Sequence, residues 1–461
     1  MSQSTQSPFD LPELLTHLSR FVLQKDAVAC AQVCKAWSEE FLSVVWHTVD
    51  SRLIEKHMLD PAAIAKNGHH IRVVENLEAH LPSSLWSPSV CKLQSLDMSI
   101  GDTPSMQDIA KGILQNNYAS LTDVSVSRSH VDISSIIVFS FDGMPPAIDT
   151  VGFTNLVRLT ITGVGIMREP FSSMLRMCPV LQHLTIRDTW LYLSDEGYIY
   201  QHQGLNHLST TIQQIILSDP DAPDAPSLLA HFPNLKRLSL LHSTVSMEVD
   251  FEDFGNEVSR CCPLLKSLDV LCENGMTLKL LNESFQALTE ICLSYPGISQ
   301  PVIDAVISHR GSLERLSAAM PLPELELIRS ALEEMGLAVG ATDGQIQLLP
   351  RMCHRLKHFN LELHKMDIKN VEAEKWTCAD LETLHVKFRG LDTTERIDRA
   401  LRMWVDGREK AHQSAGEHQD DTTTILQDGS LEARVARHLL QFKRLREVCL
   451  GSRVWKVDSL A

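Results

Sequence analysis

Hydrophobic and polar positions follow two different periods along this chain of 461 residues. Over the first fifty or so, apolar residues recur at helical spacing. Leu11, Leu14, Leu15 and Leu18 fall on one face of a first helix, and Pro12 suits its first turn because its φ is already fixed near the helical value. Asp26 is placed to cap a second helix running to about Val33, and Trp37, Phe41, Val44 and Val45 stripe a third. Three helices totalling ~40 residues bury too little surface to hide this many large side chains. Part of that apolar surface is therefore expected to meet a partner.

Beyond about residue 90 the period changes to Leu-x-x-Leu-x-Leu and close variants. The first position of each unit reads Leu93, Leu121, Leu156, Leu181, Ile212, Leu235, Leu265, Leu288, Leu313, Leu356, Leu381 and Leu445. Separations are mostly ~23–31 residues, close to the ~20–29 of leucine-rich repeats. Each unit predicts a short strand whose alternate residues point inward, followed by a return segment that stacks on its neighbours. Cysteine recurs in phase, two or three residues before the first apolar position, at Cys91, Cys178, Cys262, Cys353 and Cys378; Phe232 fills the same place in another unit. A buried thiol there acts as a small hydrophobe.

Leu11-Pro12-Glu13-Leu14-Leu15, Val33-Cys34-Lys35-Ala36-Trp37 and Trp46 together resemble the F-box, over Phe9 to about Asp50. Ala27-Val28-Ala29 departs from that family, in which a bulkier aliphatic often follows Lys-Asp. The repeats resemble the cysteine-containing class of leucine-rich repeats, which is often joined to an F-box. The expected fold class is α/β repeat: an N-terminal three-helix F-box, then an irregular leucine-rich-repeat solenoid with a parallel concave sheet. The expected layout is a disordered start over 1–8, the F-box over 9–50, a connector over 51–90, and the solenoid over 91–461. A polar insertion near 406–430 (Gly407, His412, Gln413, Ser414, Gly416, Asp420 and Asp421) reads as a loop.

Charge narrows the partners. Lys and Arg number 42 against 58 Asp and Glu, a net charge of −16, and an acidic surface opposes the counterion release that drives nucleic-acid binding. No apolar run reaches the ~18–20 residues of a membrane span. The polar start carries no secretory pattern, so a cytoplasmic or nuclear location is expected. Eleven cysteines then read as reduced thiols. No Cys-x-x-Cys pair occurs, and Cys30 and Cys34 have no following His/Cys pair at zinc-finger spacing. Phosphate-loop, nucleophile-elbow and zinc-protease motifs are missing, and Gly163-Val164-Gly165 lacks the third glycine of a dinucleotide turn. His354 and His358 flank a strand, where that spacing builds no metal site by itself. No cofactor, metal or catalytic residue is expected.

The resemblance implies a non-catalytic substrate receptor of a Skp-cullin-F-box ubiquitin ligase. Carried onto this sequence, the contacts to the Skp adaptor, and through it the cullin complex, are Leu11, Pro12, Leu14, Leu15, Val33, Cys34, Trp37 and Trp46. The repeats would hold a protein substrate on the concave face. Positions between the inward leucines there include Arg158, His183, Arg187, Arg237, Leu241, Asp269, Leu271, Arg315, His358, Glu362, His385 and Lys387. Arg158, Arg187, Arg237 and Arg315, with Leu241 and Leu271 beside them, form the expected site for an acidic or phosphorylated segment. The alternative is a repeat scaffold that does not direct ubiquitin transfer.

Overall fold

The computed structural model describes residues 12–56, 60–78, 89–100, 104–128, 152–163, 165–187, 190–192, 200–211, 228–241, 254–270, 278, 281–282, 288–293, 299–318, 342–413, 429–451 and 453–456. The chain divides into two compact units, Met1–Asn234 and Leu235–Ala461.

The first unit opens with three helices, α1 (Pro12–Ser19), α2 (Gln24–Ala31) and α3 (Lys35–Val45). Gln24 begins α2 and Leu23 is its N-cap; Asp26, expected as the cap, sits within the first turn, where its charge favours the helix N-terminus. A strand β1 (Thr48–Asp50) follows, then two short helices, α4 (Arg52–Glu55) and α5 (Pro61–Asn67), and β2 (Val73–Glu78). Next come β3 (Ser95–Ile100), α6 (Pro104–Asn117), β4 (Asp123–Arg128), β5 (Arg158–Thr162), β6 (Gly165–Met167), α7 (Arg168–Met177), β7 (His183–Arg187), β8 (Trp190–Tyr192) and β9 (His207–Thr211). The main sheet of this unit runs β1-β2-β3-β4-β5-β7-β9, all parallel, while β6 and β8 pair separately.

The second unit contains β10 (Arg237–Leu241), α8 (Phe254–Cys261), β11 (Ser267–Val270), β12 (Glu290–Leu293), α9 (Gln300–Ser308), β13 (Arg315–Ala318), α10 (Asp343–Met352), β14 (His358–Met366), α11 (Ile368–Ala373), β15 (Thr383–Phe388), α12 (Thr394–Gln413), α13 (Leu431–Leu440), β16 (Glu447–Leu450) and β17 (Arg453–Lys456). Its strands pair in chain order, parallel from β10 to β16, with β17 closing antiparallel.

The period-two pattern determines this register. Leu238, Leu268, Ile291, Leu316, Phe359, Leu384 and Val448 occupy one continuous row across the second unit, and all are buried. Val49, Val74, Leu96, Val124, Leu159, Leu184 and Leu208 make the same row in the first. A slip of one residue in any strand would turn its apolar side chains outward. Helical returns bury an i, i+3, i+4 stripe, as Ala110, Ile113 and Leu114 do in α6.

The residue three or four before each first leucine occupies a recurring buried slot. Cys178, Cys262, Cys353, Cys378 and Phe232 fill it, as expected, and so do Phe442, His202, Asn117 and His309. The polar occupants satisfy themselves on backbone. Asn117 accepts from the Leu93 N–H and donates to the carbonyls of Val90 and Ile113. His202 Nε2 lies 2.8 Å from the Cys178 carbonyl, and its Nδ1 accepts from the Leu205 N–H. Burial pushes the thiols of Cys178, Cys262 and Cys378 up to about 12 and that of Cys353 to about 11. Cys91 differs: it is exposed.

Three boundaries depart from expectation. The sheet begins at Thr48, so β1 and β2 make the segment read as a connector part of the repeat stack, with Ile71, Val74 and Leu77 buried in the leucine places. The unit expected at Ile212 has its strand earlier, with Leu205, Leu208 and Thr210 in the inward slots; 212–217 lies outside the described residues. A threonine in the third slot hid that register. The third is the polar loop expected from Asp406, whose first part is helix, since α12 continues through Gln413. Its composition is polar, yet Ile397, Ala400, Leu401 and Trp404 form a buried stripe, and Arg408 lies 5.6 Å from the Trp404 ring. Residues 414–428 lie outside the described residues, and Ser430 accepts from the Ala433 N–H to cap α13.

Candidate partner-binding surfaces

Among the described residues the helical module's buried core is Leu15, Ala27 and Phe41. Val22, Cys30, Ala31, Trp37, Val44 and Val45 pack against it, and Trp37 stacks on Phe41 at 5.4 Å. Ala27 is wholly enclosed, so the small side chain that departs from the family pattern faces this core. The Gln24 side-chain amide donates to the carbonyls of Val45 and Thr48 at 2.8 and 2.7 Å, fixing the start of α2 against the end of α3 and β1.

That core leaves an apolar surface outside. Leu14, Leu18 and Phe21 follow i, i+4, i+7 along and just past α1, and all three are exposed, Phe21 at 74%. Leu23, Val28 and Val33 are exposed on and around α2, Val33 at 63%. Among the expected adaptor contacts, Leu14, Val33 and Cys34 stand exposed, while Trp37 and Trp46 are half-buried. Leu15 is a correction: it is 1% exposed and belongs to the module's own core, because it lies about 100° around the helix from Leu14. Pro12 starts α1, and Leu11 lies outside the described residues. Phe21, Leu23 and Val28 were missed; the i, i+4, i+7 stripe from Leu14 was the signal for the first.

The second surface is the sheet face opposite the buried rows. In the first unit one outward row reads Asp123, Arg158, His183, His207. Arg158 pairs with Asp123 on the adjacent strand. The Nδ1 atoms of His183 and His207 approach to 3.3 Å, a hydrogen bond in which one ring donates and the other, neutral there, accepts. Burial and the Arg158 charge hold the His183 pKa below the usual histidine value. Arg187 stands at the far end of β7, level with Thr162, and does not share this row.

In the second unit the corresponding row reads Arg237, Ser267, Glu290, Arg315, His358, Thr383, Glu447, Lys456. Arg237 reaches Glu290 at 3.5 Å, and the Ser267 hydroxyl donates to the same carboxylate at 3.0 Å. Two positions along, Ser239, Asp269 and Cys292 form the next outward row. Burial raises the Asp269 pKa above the usual carboxylate range, against opposing hydrogen bonds from Cys292 and Ser239. Further along, His385 Nε2 lies 2.9 Å from Glu447, whose other oxygen pairs with Lys456 at 3.3 Å.

The expected basic stripe is therefore corrected to rows of mixed sign: Asp123 lies beside Arg158, and Glu290 lies between Arg237 and Arg315. Asp123, Glu290 and Glu447 sit in the same rows but were absent from the candidate set; only cross-strand register reveals them. Leu241 ends β10 without a described side chain, and Leu271 lies outside the described residues. Gly163 has φ +71° just after β5, so its place near a second glycine belongs to a turn. Among the described residues no helix is long and apolar enough to cross a membrane, and no three metal-binding side chains cluster. No family model matches the chain, and no curated protein matches its sequence.

Proposed function

We propose that this chain is a non-catalytic substrate receptor of a Skp-cullin-F-box type ubiquitin ligase. Its N-terminal helices hold the Skp adaptor, and through it the cullin complex, while the open face of the repeats holds a protein substrate. One observation carries the reading: beside the small core of Leu15, Ala27 and Phe41, the module exposes Leu14, Leu18, Phe21, Leu23, Val28 and Val33. Clustered apolar exposure of this kind marks an interface. The repeats supply complementary polar chemistry. Rows of mixed charge suit a substrate segment that carries both signs, rather than a purely acidic one. The proposed setting is cytoplasmic or nuclear.

The test replaces Leu14 and Val33 together with Asp. Both are exposed, so the Leu15-Ala27-Phe41 core is untouched. Loss of two apolar anchors, each often worth ~2 kcal/mol at a hot spot, should abolish co-purification of the adaptor. Unchanged adaptor recovery refutes the assignment. Adaptor without cullin favours the alternative of a scaffold that does not direct ubiquitin transfer. For the substrate, proximity labelling compares the whole chain with one lacking 1–46, a cut that spares β1.

A further inference from the structure

A cleft of about 500 Å³ lies where the C-terminal ends of α1 and α3 meet the 3-10 turn Gly68–His70 and the residues leading into β2. Its polar lining is basic and hydroxylic: Arg20, Arg72, His47 and His70, with Thr16, Ser19 and Ser43. Among the described residues no carboxylate lines it, in a chain whose net charge is −16. Glu40 stands nearby, accepting the Thr16 hydroxyl at 2.8 Å.

Cations at helix C-termini ordinarily complement the helix dipole. Here the terminal carbonyls are already occupied. Those of Thr16, His17, Leu18 and Ser19 accept from Ser19 Oγ and from the N–H groups of Arg20, Phe21 and Val22. Those of Leu42, Val44 and Val45 accept from the Trp46 and His47 N–H groups and from Gln24. Among the described residues the Arg20 guanidinium donates to none of them, which leaves it to the cleft. Arg72 is held in place by donating to the carbonyls of His69 and Ile71 at 2.8 and 3.0 Å, which uses one terminal nitrogen and leaves the rest of its planar fork available. Burial first, and then the charges of His69 and Arg72, hold the His70 pKa below the usual histidine value; an anion in the cleft would offset the charge part of that.

We infer that this cleft binds an anion carrying two or more phosphate groups. Two guanidiniums line it from different elements, Arg20 just past the end of α1 and Arg72 at the entry to β2, so an anion with more than one phosphate can meet both. The volume falls within the ~300–1,000 Å³ of ordinary ligand sites. Free oligophosphates and polyphosphorylated lipid headgroups share this chemistry.

The test titrates the full chain with pyrophosphate and tripolyphosphate by calorimetry, and separately with phosphatidylcholine vesicles carrying a polyphosphorylated headgroup. Saturable binding at one site is expected, weakened about tenfold or more by Arg20→Glu and by Arg72→Gln, since each removes a charge-assisted contact. Arg399→Glu, an exposed change in the other unit, should leave it unaltered. Circular dichroism of each variant checks the fold, and because Arg20 is exposed, Arg20→Glu alone keeps the test decisive if Arg72→Gln disturbs its turn. Binding in either arm that the variants weaken supports the site, and the arm that binds identifies the source. No saturable binding in either arm, or equal binding by wild type and Arg20→Glu, overturns it.

Discussion

His438 offers a quantitative test of the second unit's packing. It sits in α13, 6% exposed, with its ring 4.7 Å from Trp376 and 5.4 Å from Phe442. Gln441 meets its Nδ1, and Nε2 has no hydrogen-bond partner among the described residues. Burial lowers its pKa from 6.5 to about 4, against the opposing charge of Glu372. The folded state therefore holds the ring neutral where the unfolded chain would take up a proton. Stability is fully present above pH 6.5 and is lost as the pH falls from there toward 4. The gap between 6.5 and about 4, at ~1.4 kcal/mol per decade of proton affinity, is about 3 kcal/mol in all. Between pH 7 and pH 5 the loss is about 2 kcal/mol, because the unfolded histidine is already partly protonated near 6.5. Urea unfolding followed by tryptophan fluorescence at pH 7, 6 and 5, on wild type and His438→Gln, isolates it. Groups common to both proteins cancel in the difference. The variant should be less stable at pH 7, having lost ring contacts, and the gap should shrink by about 2 kcal/mol at pH 5. A difference that does not change with pH would show that His438 is not held neutral in the core.

Two further outcomes test the repeat register. Cys178, Cys262, Cys353 and Cys378 should resist a thiol reagent in the native protein and react after denaturation, while the exposed Cys34 and Cys91 react at once, as mass spectrometry of labelled peptides would read. Gly152→Ala should lower stability by roughly 1–3 kcal/mol, measured by urea unfolding, because φ is +63° there and an added Cβ meets the Met177 carbonyl while Phe153 N–H donates to that same oxygen at 2.6 Å.

The chain's own pattern determined the periodicity and much of what it builds. Inward rows such as Leu238-Leu268-Ile291-Leu316 were legible because period-two alternation specifies both strand and face, and four of the five in-phase cysteines occupy the buried slot it implied. Helical spacing likewise located α1 to α3 and the excess of apolar side chains on them. Tertiary structure decided which of those side chains is spent on the module's core: Leu15 turns in and Leu14 out, a difference of one residue that only packing against Ala27 and Phe41 settles. It also decided the charge of the open face, because Asp123 and Glu290 lie far from Arg158 and Arg237 in sequence and reach them only through parallel register. Slots filled by Thr210, His202 and Asn117 were hidden for the same reason. A polar side chain is tolerated in a core when backbone groups from elsewhere complete its hydrogen bonds, and composition carries no record of where those groups will be.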